Sequence, residues 1–127
     1  MIVADSDVLI DSLRGDEPAA SRVATELKTG ALVTTVVNAF ELLSGAKRSR
    51  EREKVDTLLA ALTILPLSNN AARTAAAVRR DLESKGKGIG MADYLIAGIC
   101  LDRGAILLTR NRSHFERVEG LSIGHLG

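Results

Sequence analysis

Aromatic residues are nearly absent from this sequence, which has one tyrosine, two phenylalanines and no tryptophan among 127 residues. Proteins that grip single-stranded nucleic acid by base stacking need several aromatic side chains on one surface, so this composition excludes a stacking platform. The formal net charge is only +1, so the overall field of the protein does not identify a charged partner. Any contact with nucleic acid must therefore depend on local groups of charges.

Cysteine and long apolar stretches are also scarce. The single cysteine, Cys100, permits no disulfide within the chain, which fits a reducing compartment, and its apolar surroundings place it in the core. No apolar stretch approaches the ~18 residues of a membrane helix, and the N-terminus lacks the basic segment of a secretory signal. We therefore expect a cytoplasmic protein that is not associated with a membrane.

What is present is a regular alternation of short apolar segments and helical patterns. With 46% hydrophobic and 26% charged residues, 127 residues suffice for one domain, which we expect to span residues 1–127. Apolar strands alternating with helices predict an α/β fold with a mainly parallel sheet covered on both faces. The predicted strands are 2–5, 31–33, 63–66, 105–108 and 121–123, and the predicted helices are 6–13, 19–28, 36–43, a segment following 47–54, 69–84, 91–102 and 113–117.

The third of these strands ends in Pro66, which has no backbone N–H to donate to a neighbouring strand. Its position is therefore expected to be at a sheet edge. The charged segment 47–54 alternates in sign and predicts a solvent-exposed helix face.

An acidic residue, Asp5, ends the first predicted strand. In open α/β sheets, ligands bind outside the carboxyl ends of the strands, so Asp5 is a candidate site residue. An acid in this position can also serve only as a turn former or a helix cap.

Two further acids lie in strongly apolar helical segments. Apolar residues surround most of the helix predicted at 36–43, so we expect that helix to be buried and the carboxylate of Glu41 to need a partner or a metal ion. Pairing with an arginine or exposure to solvent are the alternatives. Asp93 falls in the first turn of its helix, where it can cap the helix or complement the dipole. If Asp5, Glu41 and Asp93 converge, they form a site for a hard cation such as Mg²⁺.

Four segments of the sequence resemble the PIN domain, and more narrowly the VapC-type toxins of VapBC toxin–antitoxin pairs. They occur in the expected order over the whole chain and comprise residues 3–11, 34–42, 92–97 and 107–116. The resemblance implies a three-layer α/β/α fold with strand order 3-2-1-4-5. It also implies an endoribonuclease that depends on Mg²⁺ or Mn²⁺, with Asp5, Glu41 and Asp93 holding the metal ion and acting in catalysis.

The sequence departs from this family after the fourth strand. Where a further acid often occurs it has Asn111, and where many relatives have aspartate it has His114. An asparagine can offer a carbonyl oxygen to a metal ion or orient a metal-bound water, but it adds no charge. We therefore expect one tightly bound metal ion rather than two, with Asn111 as a weak additional ligand.

The resemblance also implies partners. Members of the family act on RNA, are generally homodimers, and are neutralised by an antitoxin that often places a basic side chain among the acids. We expect the same here: an RNA substrate, a cognate antitoxin, and a homodimer formed through helices that expose an apolar stripe.

Polar residues close to the three acids in sequence have supporting roles. Ser6 and Thr109 are candidates for hydrogen bonds to Asp5 or to a metal-bound water, with turn formation and capping as the alternative. Arg110 and Arg112 flank Asn111 and are candidate contacts for RNA phosphates.

Other polar residues are given no metal-binding role. Asp7 and Asp11 are expected to be solvated acids at a helix start. His114 and His125 lack partners at zinc-ligand spacing, so we expect no zinc site.

Two alternative functions stay open from the sequence. An Asp5-x-Asp7 pair after the first strand resembles the start of a HAD-type aspartyl phosphatase, although Leu9 and the lack of paired acids after Leu108 argue against it. The substitutions at 111 and 114 are compatible with a non-catalytic PIN-fold module that binds RNA or protein. The intact set of three acids argues against that alternative.

Overall fold

The computed structural model describes the whole chain, residues 1–127, as five short strands and seven helices. The strands are β1 (Ile2–Ala4), β2 (Leu32–Thr35), β3 (Thr63–Leu65), β4 (Ile106–Leu108) and β5 (Ser122–Ile123). The helices are α1 (Ser6–Leu13), α2 (Ala19–Thr29), α3 (Val36–Gly45), α4 (Ser49–Ala60), α5 (Asn69–Ser84), α6 (Met91–Arg103) and α7 (Arg112–Phe115).

The five strands form one parallel sheet in the order β3-β2-β1-β4-β5. The central strand β1 pairs with β2 on one side, Ile2 opposite Leu32, and with β4 on the other, Ile2 opposite Ile106. This confirms both the predicted strand order and the edge position of β3. Because all strands run in the same direction, their carboxyl ends meet at one edge of the sheet.

Successive residues of the central strands point to opposite faces of the sheet, and helices cover both of these faces. Val3, Val33 and Leu107 lie in an apolar cluster with residues of α5 and α6. Their neighbours Ala4, Leu32 and Leu108 lie in a second cluster with residues of α1 to α4. The result is the expected three-layer α/β/α arrangement. Cys100 is fully buried in the first cluster, as predicted, and burial raises the pKa of its thiol to about 12.

Two strands turn directly into helices at the carboxyl edge of the sheet. β1 is followed by Asp5, the N-cap residue of α1, and β2 ends in Thr35, the N-cap residue of α3. In each case the cap side chain accepts a backbone hydrogen bond, from Ser6 N and Asn38 N respectively. The first turns of α1 and α3 therefore lie side by side where β1 and β2 end.

The prediction that helix α3 is buried is wrong. Asn38, Ala39 and Leu42 are buried and Val37 is partly buried against the core, whereas Val36, Phe40 and Leu43 are exposed, Phe40 to 69%. Glu41 is exposed as well. A helix that packs on a sheet through one face leaves the other face outward whatever its residues are, and here the outer face is apolar.

The charged segment follows its prediction, since residues 47–54 are all exposed and begin α4. Pro18 is the N-cap residue of α2. None of the helices combines the length and the hydropathy that crossing a membrane requires.

Helices α5 and α6 approach each other very closely at Gly98. A Cβ atom at this position would lie 2.5 Å from the backbone oxygen of Ala71 and 2.7 Å from the Cβ of Ala75. Since the nearest atom belongs to the backbone, a larger residue requires the two helices to move apart.

We therefore expect Gly98→Ala to lower the free energy of unfolding by about 1–3 kcal/mol, the usual effect of overpacking a core. The clash outweighs the ~1 kcal/mol by which alanine exceeds glycine in helix propensity. Gly45→Ala is the matched control, because no atom lies within 4 Å of a Cβ at this helical position. Urea denaturation of both variants checks this. A Gly98→Ala protein at least as stable as the wild type would contradict the close packing.

Candidate active site

The side chain of Asp5 is the centre of a hydrogen-bond network at the carboxyl edge of the sheet. It is only 7% exposed. Its Oδ1 accepts hydrogen bonds from Ser6 N and Asn38 Nδ2, both at 2.8 Å, and its Oδ2 accepts one from Thr109 Oγ1 at 2.7 Å. These donors come from α1, from α3 and from the residue after β4. The carboxylate therefore joins the ends of three neighbouring segments.

Glu41 is connected to this network through Ser6. The hydroxyl of Ser6 donates a hydrogen bond of 2.8 Å to Glu41 Oε1 and accepts one of 3.0 Å from Asn38 Nδ2. Glu41 itself is exposed, and no group of the chain donates to its Oε2. The structure thus brings two of the predicted acids together through the predicted supporting residue Ser6, with one carboxylate oxygen of Glu41 free.

Asp93 lies in the first turn of α6, as predicted, and is half-buried. Its Oδ2 is 3.4 Å from Nδ1 of His114, and the same ring nitrogen is 2.8 Å from Asn111 Nδ2. The two residues that depart from the family pattern are therefore in contact with each other, and one of them contacts the third acid. Gly90 is the N-cap residue of α6, so Asp93 does not cap the helix.

Burial and neighbouring negative charges raise the pKa of the Asp5 carboxyl. Burial is the largest cause, and together with the charges of Asp7 and Asp93 it raises the pKa of this carboxyl from 3.8 to about 6. Hydrogen bonds from Thr109 and from Ser6 N act in the opposite direction. Asp93 is thus close enough to Asp5 for its negative charge to raise the pKa of Asp5.

Asp7 is part of the same edge, contrary to the expectation of a solvated acid. It is half-buried, its Oδ2 accepts a hydrogen bond of 3.1 Å from Arg110 N, and it lies 3.5 Å from Thr109 Oγ1. Burial raises its pKa, while the backbone and charge of Arg110 lower it. The acid therefore fixes the segment that follows β4.

The two candidate phosphate contacts, Arg110 and Arg112, are both engaged within the chain. Arg110 Nε lies 3.1 Å from Asp11 Oδ2, so Asp11 is an ion-pair partner rather than a freely solvated acid. Arg112 Nε lies 3.4 Å from Glu116 Oε1, and its Nη1 donates to the backbone oxygen of Gly124. The arginine side chains remain 58% and 37% exposed, so neither is sequestered from a ligand.

The available ligand atoms fit a hard divalent cation, because the network presents carboxylate and hydroxyl oxygens and contains no lysine or arginine side chain. No three side chains of histidine, cysteine, aspartate or glutamate are close enough together to form a complete ligand set. Asp5 is locked by its three donors, whereas Glu41 and Asp93 are accessible to solvent. Ligation by all three acids therefore requires the two accessible side chains to turn toward Asp5.

A groove of about 300 Å³ lies beside Glu41, between α1, α3 and α4. Its walls combine apolar side chains with two basic ones: they include Ile10, Leu13, Leu42, Val55, Arg14 and Lys54. Of the three candidate acids only Glu41 lines the groove, together with a second acid, Glu51.

Sequence reasoning missed Asn38, which is fully buried and contacts both Asp5 and Ser6. The signal was a polar residue three positions before Glu41 and three after the cap residue Thr35. That spacing places it on the inner face of the first helical turn.

Comparison with known proteins is consistent across sequence and structure. A model of the PIN domain matches residues 2–121. Ribonuclease VapC10 of Mycobacterium tuberculosis is 38% identical over 121 residues, covering 95% of this chain and 90% of the relative. The tRNA(fMet)-specific endonuclease VapC of Shigella flexneri is 30% identical, over 92% and 91% of the two chains. The DNA-bound VapBC structure from Salmonella typhimurium superposes with a TM-score of 0.86 at 26% identity, over 99% and 98% of the two chains.

The raised pKa of Asp5 makes the stability of the metal-free protein depend on pH. A folded-state pKa above the unfolded value means that protonation stabilises the fold, and this contribution is lost as the pH rises through about 6. Between pH 5 and pH 7.5 the loss is about 1.4 kcal/mol, from a folded pKa of about 6 and an unfolded pKa of 3.8.

Urea unfolding in EDTA checks this by comparing the wild type with Asp5→Asn. The asparagine amide can donate to Thr109 Oγ1, so the network is kept without the charge. We expect the free energy of unfolding of the variant to lose about 1.4 kcal/mol less than that of the wild type between pH 5 and pH 7.5. Equal pH dependence in the two proteins would show that Asp5 is not a perturbed acid.

Proposed function

This chain belongs to the PIN domain family, and on that basis we propose that it is a metal-dependent endoribonuclease, the toxin of a type II toxin–antitoxin pair. The observation that carries the proposal is the hydrogen-bonded connection of Asp5 to Glu41 through Ser6, with Asp93 within electrostatic reach of Asp5. The relatives named ribonuclease and tRNA endonuclease support RNA as the substrate class. Because an enzyme that cleaves cellular RNA must act where that RNA is, we propose that the protein is cytoplasmic.

In the proposed site, Asp5, Glu41 and Asp93 hold one Mg²⁺ or Mn²⁺ ion. When bound, the ion supplies Lewis acidity to the phosphodiester and acidifies water. Asp5 is fixed by Ser6 and Thr109, so it sets the position of the ion. Glu41 Oε2 has no donor within the chain, so it is free to bind the ion or to accept a proton from the attacking water.

The residues after β4 complete the site. Asn111 adds an amide rather than a charge, and Nδ1 of His114 lies between it and Asp93, 2.8 Å from Asn111 Nδ2 and 3.4 Å from Asp93 Oδ2. With a single negative side chain on this side, one ion is favoured over two. Arg110 and Arg112, exposed at the same edge, are proposed to bind the phosphates that flank the cleaved bond.

We propose a cognate antitoxin as the protein partner, because relatives of this chain form VapBC complexes. The groove beside Glu41 is the proposed position for part of it. Apolar residues such as Ile10 and Leu42 can receive apolar side chains there, and Glu41 at its end can receive a basic one.

The apolar stripe on α3 supports a homodimer. Val36, Phe40 and Leu43 follow the i, i+4, i+7 spacing of one helix face and are all exposed. Solvent-exposed apolar residues of this size in a row are typical of protein interfaces.

Membership of the PIN family argues against the aspartyl phosphatase alternative. The non-catalytic module is the remaining competitor, and a cleavage assay distinguishes it.

The first prediction of this proposal is that Asp93→Asn reduces Mn²⁺-dependent RNA cleavage by at least about 100-fold. Loss of a ligand charge should exceed the 10–100-fold effect of losing an outer partner of a metal site. The control is Asp102→Asn, the same change in an exposed acid at the other end of α6. Cleavage of labelled cellular RNA with Mn²⁺ or EDTA measures it. A fully active Asp93→Asn protein would remove Asp93 from the site, and an inactive wild type would favour the binding module.

The second prediction is that the free chain is a dimer held by α3. Light scattering at micromolar concentration should give about twice the 13.5 kDa chain mass. Phe40→Ser should raise the dissociation constant of the dimer at least about 10-fold, because buried aromatic anchors dominate interface energetics. Ile64→Ser, in an exposed apolar residue at the sheet edge, should have no such effect. A wild-type protein that scatters only as a monomer would contradict the proposed dimer.

A further inference from the structure

Asn38 is a buried polar residue at the centre of the network, and none of its side-chain atoms is exposed. Its Nδ2 donates to Asp5 Oδ1 at 2.8 Å and to Ser6 Oγ at 3.0 Å. Both hydrogens of the amide are thus used, each on a different residue of the site.

The orientation of this amide is determined by its partners. Thr35 Oγ1 donates to Asn38 Oδ1 at 2.7 Å and accepts from the backbone N–H of Asn38 at 3.1 Å. The reversed amide would place its oxygen against the carboxylate of Asp5, which cannot donate when ionised. Asp5 therefore selects the orientation in which the two amide hydrogens point toward Asp5 and Ser6, and the Thr35 hydroxyl donates to the amide oxygen on the other side.

The direction of the Ser6 hydrogen bond follows from this orientation. A hydroxyl has one hydrogen to donate, and Ser6 Oγ accepts a hydrogen bond from Asn38. Its single hydrogen is left for Glu41 Oε1, 2.8 Å away. One amide thus controls a donor to Asp5 directly and a donor to Glu41 through Ser6.

We infer that Asn38 is a positioning residue for the metal site: its amide sets the relative orientation of the Asp5 and Glu41 carboxylates that receive the ion. This inference rests on the proposed function. Asn38 does not touch the ion or the RNA, and it acts only through the two acids.

The chemistry of the position favours asparagine over its substitutes. Threonine has a single hydroxyl hydrogen, so it can serve Asp5 or Ser6 but not both. Leucine has nearly the same volume and no donor, which leaves the buried Asp5 oxygen with one donor fewer. Aspartate would add a further buried negative charge next to Asp5.

The test uses Mn²⁺ alone as the probe and measures its dissociation constant by calorimetry. We expect Asn38→Leu to raise this constant about 10–100-fold, the range found when partners of metal ligands are removed. Asn38→Thr should give a smaller increase, because one donor is kept. If Asn38→Leu does not fold, Asn38→Thr carries the test alone.

The matched control is Thr34→Val, which removes a buried hydrogen bond of 2.8 Å to the backbone oxygen of Ala4 at the same end of the sheet. Thr34 has no contact with the acids. We expect it to lower the melting temperature and to leave the Mn²⁺ dissociation constant within about twofold of the wild type. A merely structural role for Asn38 would make its variants behave in the same way.

A double-mutant cycle with Ser6→Ala tests whether Asn38 acts on Glu41 through the Ser6 hydroxyl. If Asn38 acts on Glu41 through Ser6, adding Ser6→Ala to Asn38→Thr should raise the dissociation constant by less than Ser6→Ala does alone. Asn38 variants that bind Mn²⁺ as tightly as the wild type overturn the inference and leave the proposed function intact. A wild-type protein that does not bind Mn²⁺ overturns the proposed metal site and, with it, the inference.

Discussion

The burial of the Asp5 carboxylate is the constraint on which the rest of the site depends. An ionised carboxylate away from water is costly unless donors surround it, and here one donor comes from α1, one from α3 and one from the residue after β4. These segments meet only because β1 is the central strand, with β2 and β4 as its neighbours. The strand order of the parallel sheet therefore determines which donors surround Asp5.

Burial of the carboxylate that is proposed to bind the ion also destabilises the metal-free fold. Desolvation and the neighbouring acids raise the pKa of Asp5 to about 6, so the metal-free protein bears an electrostatic cost at neutral pH. A divalent cation among the acids would remove that cost, because an opposite charge favours the ionised form. The protein is therefore expected to be more stable with the ion than without it, and without it three hydrogen bonds hold Asp5 in place.

Much of this arrangement could be predicted from the sequence. Apolar runs alternating with helical patterns indicated the parallel sheet, Pro66 indicated the edge strand, and the position of Asp5 after β1 indicated the site. The burial of α3 was predicted wrongly, because an apolar outer face such as that of Phe40 looks the same in a sequence whether the chain or another molecule covers it.

The roles of Asn38 and Asp7 were missed for a related reason. A polar residue in a helical first turn has many possible partners, and only the packing of α3 beside α1 brings the amide of Asn38 to Asp5. Asp7 lies 103 positions before Arg110, whose backbone N–H it accepts. Contacts between residues so far apart in the chain depend on strand pairing, which periodicity alone does not reveal.

The most direct test of the proposed metal site is the anomalous diffraction of Mn²⁺ in crystals of the protein. We predict one Mn²⁺ peak per chain at the carboxyl edge of the sheet, within ligand distance of an oxygen of Asp5 and of oxygens of Glu41 and Asp93 turned toward it. Asn38 should keep its hydrogen bonds to Asp5 and Ser6. A peak elsewhere on the molecule, or none at millimolar Mn²⁺, would contradict the assignment of these acids as a metal site.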